Sequence, residues 1–277
     1  MSSEATNNSD QTRARVKRVT VPRLTAMKAQ GEKITMLTAY DHPMARLVDA
    51  AGVEAILVGD SLGTVVQGHR TTLPVTLDQM IYHAELVARA VERALVIVDL
   101  PFPSTLLGPM RAIEDAARCM KETCCQAVKL EGGVERAEVI AALTTAGMPV
   151  MAHVGLVPQS VHRLGGYRVQ RDRDQLLADA KATEEAGAFA VVLECIPAEI
   201  AKEITAELTV PTIGIGAGSD CDGQVLVLHD LLGLTPGRVP RHVKVYADLG
   251  KTMVEALSAF KDDVRGGNFP GSDQSFS

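Results

Sequence analysis

Apolar and polar positions along this chain alternate between two patterns. Short apolar runs rich in β-branched residues are separated by longer stretches with apolar residues at helical intervals. The short runs fall at about 34–40, 55–60, 95–100, 127–131, 149–154, 189–194, 211–216 and 225–230. Unbroken apolar runs of this length read as strands buried on both faces of a parallel sheet. The intervening stretches carry helix signals. HPMARLVDAAG (42–52) closes on Gly, TLDQMIYHAELVARAV (76–91) opens on Thr76 with Asp78 in its first turn, and PMRAIEDAARCMKET (109–123) opens on Pro. RDQLLADAKATEEAG (173–187) ends in Gly. Residues 21–31 predict a short helix suited to close the bottom of a barrel.

Eight strands with helices between them imply one (β/α)8 barrel over residues 21–265, an α/β fold. A doubly wound open sheet has the same periodicity and is the competing arrangement. The seventh crossover is the weak point. Few residues separate the last two strands, and a parallel crossover usually needs at least about 10–12. The seventh helix is therefore expected to shrink to a turn; the alternative makes VLVLHDLL (225–232) helical. From about 240 the pattern predicts a further helix, and 266–277 a Gly/Ser/Pro tail. Residues 1–20 are polar, with Arg13, Arg15, Lys17 and Arg18 near their end, and read as a disordered tail. Glu4 and Asp10 count against a transit peptide, so a cytoplasmic rather than mitochondrial location is expected.

Composition narrows the class. The chain has 277 residues, 46% hydrophobic and 22% charged, with a net charge of −6 and no Trp. Basic patches with interleaved aromatics are missing, which argues against a nucleic-acid partner. No apolar stretch reaches membrane-spanning length, so no membrane partner is expected. Cys119, Cys124, Cys125, Cys195 and Cys221 form no C-x-x-C pair, and a disulfide framework is not expected.

The chemistry lies in residues that interrupt the strands. AILVGDS (55–61), ALVIVDLP (94–101), AVKLEGG (127–133), PVMAHVG (149–155) and FAVVLEC (189–195) end in or near Asp60, Asp99, Glu131, His153 and Glu194. Acids are almost never buried without a partner. Strand ends are where a parallel barrel builds its site. Residues two apart in a strand share a face, so Lys129 points the way Glu131 does. The pair reads as a core ion pair or as a metal-binding acid beside a substrate-holding cation, and Asp60 and Asp99 favour the second. Three carboxylates without Cys suit a hard cation such as Mg²⁺, and no zinc spacing occurs. Such an ion serves as a Lewis acid on a chelating 2-oxo acid and stabilises its enolate. Glu194, apart from the other acids, is the candidate base, with burial raising its pKa. His153 reads as a core histidine or a substrate contact. His69 and His229 carry less signal. GIGAG (214–218) does not fit G-x-G-x-x-G and is explained by a close turn. The long connections 61–75 and 155–172 are expected at the mouth as functional loops.

Several motifs in one order resemble the ketopantoate hydroxymethyltransferase family: LTAYD (37–41), LVGDSLGTVVQGHRTTLPVT (57–76), VDLPF (98–102), VKLEGG (128–133), HVGLVPQSV (153–161), GGYRVQ (165–170) and PTIGIGAG (211–218). The resemblance covers nearly all of the chain outside the N-terminal tail. It implies a barrel of the phosphoenolpyruvate/pyruvate type. It implies hydroxymethyl transfer from 5,10-methylenetetrahydrofolate to 3-methyl-2-oxobutanoate, giving 2-dehydropantoate, in pantothenate synthesis. By the same resemblance Asp60, Asp99 and Glu131 hold Mg²⁺, and Asp60, Ser61, Asp99, Lys129 and His153 meet the oxo acid. Glu194 removes the C3 proton, and the assembly is a homo-oligomer, a decamer in many members. KETCCQAVK (121–129) departs from the family by placing two Cys where small residues are usual, and a packing change is expected there. QRDRDQ (170–175) departs from a usual Q-G-R loop. The alternative activity is a C–C or P–C lyase or mutase of the same superfamily, acting on a Mg²⁺-bound 2-oxo acid; its gating-loop Cys motif is missing here. A barrel that only binds ligand has no physical reason to keep clustered acids.

Overall fold

The computed structural model describes residues 17–276 except 238, so most of the expected N-terminal tail lies outside the described residues. Eight parallel strands close into a barrel in chain order: β1 (Ile34–Thr38), β2 (Ala55–Val58), β3 (Leu95–Asp99), β4 (Ala127–Glu131), β5 (Val150–Gly155), β6 (Ala190–Glu194), β7 (Thr212–Ile215) and β8 (Gly223–Leu226). Pairing of β1 with β8 completes the ring, which excludes the open doubly wound sheet.

The strands are mostly apolar because β2 to β5 are buried on both faces and the others nearly so, with β1 and β8 exposing Thr35 and Gln224. Inward residues Leu57, Leu95, Ile97, Met151, Val192 and Ile213 fill the barrel. Leu24 and Met27 of α1 (Val21–Ala29) join that cluster and plug its lower end, as the 21–31 pattern predicted. Outward residues Ile56, Val58, Val96, Val98, Val128 and Leu130 pack on the surrounding helices. These are α2 (His42–Ala50), α3 (Leu62–Val65), α4 (Leu77–Ala90), α5 (Pro109–Thr123), α6 (Ala137–Thr145), α7 (Val161–Leu164), α8 (Arg173–Glu185), α9 (Ala198–Glu207), α10 (Leu228–Leu231) and α11 (Leu249–Gly266). Their starts follow the polar signals. Thr76 and Gln79 form a reciprocal cap on α4, and Asp41 and Asp172 accept from the first-turn amides of α2 and α8.

The seventh crossover is indeed a turn, and both readings of 225–232 contribute. The eighth strand starts two residues early and ends at Leu226, while Leu228–Leu231 forms one helical turn. A side-chain staple replaces the missing helix. Asp222 accepts from Thr212 N (2.8 Å), Thr212 Oγ1 (3.1 Å) and Lys28 Nζ (2.8 Å), tying the β7–β8 turn to α1. The last helix starts at Leu249, later than its apolar pattern suggests, because Asp248 caps it and Tyr246 N is committed to Leu231 O. Val19 is buried, and its amide donates to Arg93 O, so order begins before residue 20.

All five cysteines are free. Cys124 ends α5 in the left-handed conformation (φ 62°), which a residue with a Cβ occupies at a cost. Buried Cys125 follows it, so the family departure at 121–129 is absorbed in a helix cap remote from the barrel mouth. Cys124→Gly is expected to raise stability by about 1 kcal/mol, seen as a higher urea midpoint; an unchanged midpoint would show that the cap carries no strain.

Candidate active site

The inward positions at the upper ends of β3 to β6 are polar. The pleat that points Leu95 and Ile97 inward also points Asp99 inward, and Ala127 is followed on the same face by Lys129 and Glu131. His153 follows Met151 on β5, and Glu194 follows Val192 on β6. Register then sets neighbours side by side: Asp99 pairs with Lys129, Glu131 with His153, and Gly155 with Glu194. Asp60 enters one residue past Gly59 at the end of β2. A Cβ at Gly59 would lie 3.3 Å from Asp99 Oδ2, so glycine lets the Asp60 amide reach that oxygen at 3.1 Å.

A chain of contacts runs round the rim. Lys129 Nζ lies 2.5 Å from Asp99 Oδ1, with both side chains buried. Gln159 donates from its backbone to Glu131 Oε2 (2.9 Å), and from Nε2 to Asp60 Oδ2 (2.9 Å) and Leu100 O (3.1 Å). His153 stands between two acids, with Nδ1 3.8 Å from Glu131 Oε1 and Nε2 3.2 Å from Glu194 Oε2. Both nitrogens are enclosed, and neither has a well-aligned hydrogen-bond partner among the described residues. Ser61 Oγ lies 2.7 Å from the hydroxyl of buried Tyr40. Gly155 has φ +98°, and a Cβ there would strike the Glu194 carbonyl; glycine thus lets the β5 end lie against the base.

The electrostatics are those of an anionic pocket. Four carboxylates (Asp60, Asp99, Glu131, Glu194) face one ammonium. Burial, with Asp99 nearby, pushes the Asp60 carboxyl up to about 6 despite Lys129. Burial and the charge of Asp60 push Glu131 well above the usual range. Burial would lower Lys129, but Asp99, Glu131 and Asp60 hold its ammonium above its ordinary value. Burial and the Lys129 charge lower His153, which keeps the ring neutral near pH 7. Burial raises the Tyr40 hydroxyl, so it stays protonated.

All seven residues expected at the site therefore meet at one rim. Among the described residues no group of three His, Cys, Asp or Glu is gathered closely enough to hold a metal. The Lys129 ammonium lies against Asp99, and Gln159 donates from its side chain to Asp60 and from its backbone to Glu131. The carboxylate oxygens carry surplus negative charge. That suits an ion such as Mg²⁺, which uses one or two carboxylates and fills its shell with water and substrate.

Tyr40 and Gln159 were not singled out from the sequence. Tyr40 follows β1 in an apolar run, where an aromatic passes as core. Gln159 sits in the long 155–172 connection, whose length was the only signal. His229 packs on Tyr40 (ring centroids 5.5 Å apart), and His69 is exposed. Around GIGAG, Gly216 has φ +65° and backs onto the His242 ring, as the close-turn reading expected.

This architecture is that of a TIM-barrel enzyme with an acidic rim at the carboxyl ends of its strands. Solved structures share the fold. A phosphonopyruvate hydrolase matches with a TM-score of 0.61 at 15% identity, over 93% of this chain and 91% of that one. A 2,3-dimethylmalate lyase of the PEP mutase/isocitrate lyase superfamily matches with a TM-score of 0.59 at 17% identity, over 93% and 88%. The sequence profile of ketopantoate hydroxymethyltransferase matches residues 18–272. The chain is 56% identical to a 3-methyl-2-oxobutanoate hydroxymethyltransferase of Rhodopirellula baltica over 95% of its length and 97% of the relative's. It is 54% identical to one of Desulforapulum autotrophicum, over 94% and 98%. The chain belongs to the ketopantoate hydroxymethyltransferase family and is an enzyme of the transferase type.

Replacing Gln159 by Ala strips a donor from buried Asp60 and from Leu100 O. A loss of about 1–3 kcal/mol in denaturant unfolding is expected. An unchanged midpoint would mean that the loop is not anchored through this side chain.

Proposed function

We propose that the rim removes the C3 proton of 3-methyl-2-oxobutanoate and joins that carbon to the one-carbon unit of 5,10-methylenetetrahydrofolate, yielding 2-dehydropantoate. The observation that carries the reading is the division of labour among the acids. Glu194, at 16% side-chain exposure, is the most open of them, while Asp99 and Glu131 are at 3% and 4%. A base must be reachable, and charge-holding groups must be dry. Neutral His153 beside Glu194 offers an N–H to substrate oxygen. Lys129 supplies a cation for the substrate's carboxylate or keto oxygen. Ser61, fixed by Tyr40, offers a further hydroxyl.

Asp60 and Asp99, with Glu131 beyond them, would hold Mg²⁺. When bound, the ion withdraws charge from the keto oxygen as the C3 proton leaves. The surplus negative charge of the rim supports this, as does the Mg²⁺ and oxalate named for the phosphonopyruvate hydrolase of like fold. In the reaction the C3–H bond breaks towards Glu194 and C3 bonds to the methylene carbon. The two bonds from that carbon to folate nitrogens break, and water supplies the new hydroxyl.

A homo-oligomer, and by resemblance a decamer, belongs to the same reading. Met253, Leu257, Phe260 and Val264 give α11 an exposed apolar face suited to a second copy. No helix among the described residues is long and apolar enough to cross a membrane.

Glu194→Gln is expected to lower exchange of the C3 proton into solvent deuterium at least about 100-fold, while oxo-acid binding persists; exchange at the wild-type rate would remove Glu194 from the base role. Mg²⁺ competes with protons for the same oxygens. Asp60 titrates near 6 without the ion, so calorimetric Mg²⁺ affinity should fall as pH drops from about 7.5 to 5.5. An affinity flat across that window counts against Asp60 as a ligand.

A further inference from the structure

The connection from β2 to α4 folds back on itself. After the single turn of α3, His69 N donates to Gly63 O (2.8 Å) and Val75 N to Thr72 O (3.1 Å). A Cβ at Gly63 would lie 2.6 Å from Val75 Cγ2 and 3.5 Å from the Thr72 Cα, so glycine lets the returning strand of this loop close on α3. The closure buries Thr72, while His69, Arg70 and Pro74 around it stay exposed. Leu73, the next residue, turns to a cavity of about 250 Å³ that opens beside Glu131 and Gln159, with Phe102, Leu106, Arg136 and Arg163 on its walls. Thr72 turns the other way, to the acids. Burial and Asp99 raise the Asp60 carboxyl; against them Lys129, the Gln159 amide and the Thr72 hydroxyl favour its charged form.

Gln159 meets Asp60 through an aligned hydrogen bond of 2.9 Å. Thr72 does not: its Oγ1 is enclosed and has no hydrogen-bond partner among the described residues. A buried hydroxyl left unpaired lowers stability, and valine would fill the same space without that cost. A hydroxyl can donate, and an ionised carboxylate only accepts. The two groups are therefore matched once Asp60 is held in its charged form. Carboxylates that ligate a metal are themselves oriented by hydrogen bonds from their neighbours. We propose that Thr72 is a positioning residue for Asp60: when the rim takes up its divalent cation, the Thr72 hydroxyl donates to the Asp60 carboxylate and, with the Gln159 amide, fixes how that carboxylate meets the ion. The proposal rests on the reading that Asp60 helps to hold Mg²⁺. It gives each of the two long connections one polar contact with the same acid, Thr72 from the loop after β2 and Gln159 from the loop after β5.

The test pairs Mg²⁺ calorimetry with urea unfolding of the metal-free protein. Thr72→Val keeps the shape and removes the hydroxyl. Its Mg²⁺ affinity is expected to fall about tenfold, while its urea midpoint stays level or rises, because an unpaired buried hydroxyl is lost. Thr72→Ser keeps the hydroxyl and loses a methyl group. It should bind Mg²⁺ nearly as the wild type does and unfold at a lower urea midpoint. A merely structural threonine would give the opposite pattern for valine, with lower stability and unchanged Mg²⁺ affinity. Either of those results in Thr72→Val overturns the assignment and leaves the Mg²⁺ reading standing. A serine variant that binds Mg²⁺ as weakly as the valine variant overturns it too, by tracing the loss to the methyl group. A wild-type protein that takes up no Mg²⁺ overturns the parent reading, and the role of Thr72 with it.

Discussion

A surplus of buried negative charge around one ammonium is the constraint on which the upper end of this barrel depends. Asp60, Asp99, Glu131 and Glu194 converge on Lys129, and three of the acids are almost wholly removed from water. One cation cannot neutralise four anions at low dielectric. The molecule answers in three ways. Asp99 takes the ammonium directly, Gln159 lends its donors to Asp60 and Glu131, and burial, with the neighbouring acids, raises the pKa of Asp60 and Glu131 so that they give up charge most easily. Such a site is poised for a cationic or charge-withdrawing guest. Left empty it lowers stability, which is a physical reason to read it as functional.

The rest of the fold holds this arrangement in place. Side chains of Leu, Ile, Val and Met fill the barrel beneath the rim, and α1 plugs the far end. The strands therefore cannot slide, and register alone sets Asp99 beside Lys129 and Glu131 beside His153. Glycine appears where backbone must approach closely. Gly59 lets the Asp60 amide reach Asp99, and Gly155 lets the end of β5 lie against Glu194. The loop after β5 works as a cover with one polar hook, Gln159, into the acids.

Two kinds of surface meet at the mouth. The rim is dry, charged and small. The neighbouring groove is wider and partly apolar, with arginines at its edge. Glu131 and Gln159 belong to both and are joined by a hydrogen bond.

Much of the fold was legible in residue order. Strands buried on both faces need unbroken apolar runs, and helices need caps such as Thr76 and Asp172, so both leave local signals. The acids and His153 stood out because a polar residue at the end of such a run is costly unless used. Closure into a ring was not legible, because β1 and β8 are far apart in sequence and periodicity is the same in an open sheet. The staple on Asp222, the start of α11 at Leu249 and the short β8 depend on hydrogen bonds between distant segments. Tyr40 and Gln159 were hidden for the same reason: one looks like core and the other like loop until the barrel brings them to the acids. Local chemistry thus named the residues that carry charge. Only three-dimensional packing decided which of them touch, how dry each one is, and that Lys129 and Gln159 stand among the carboxylates.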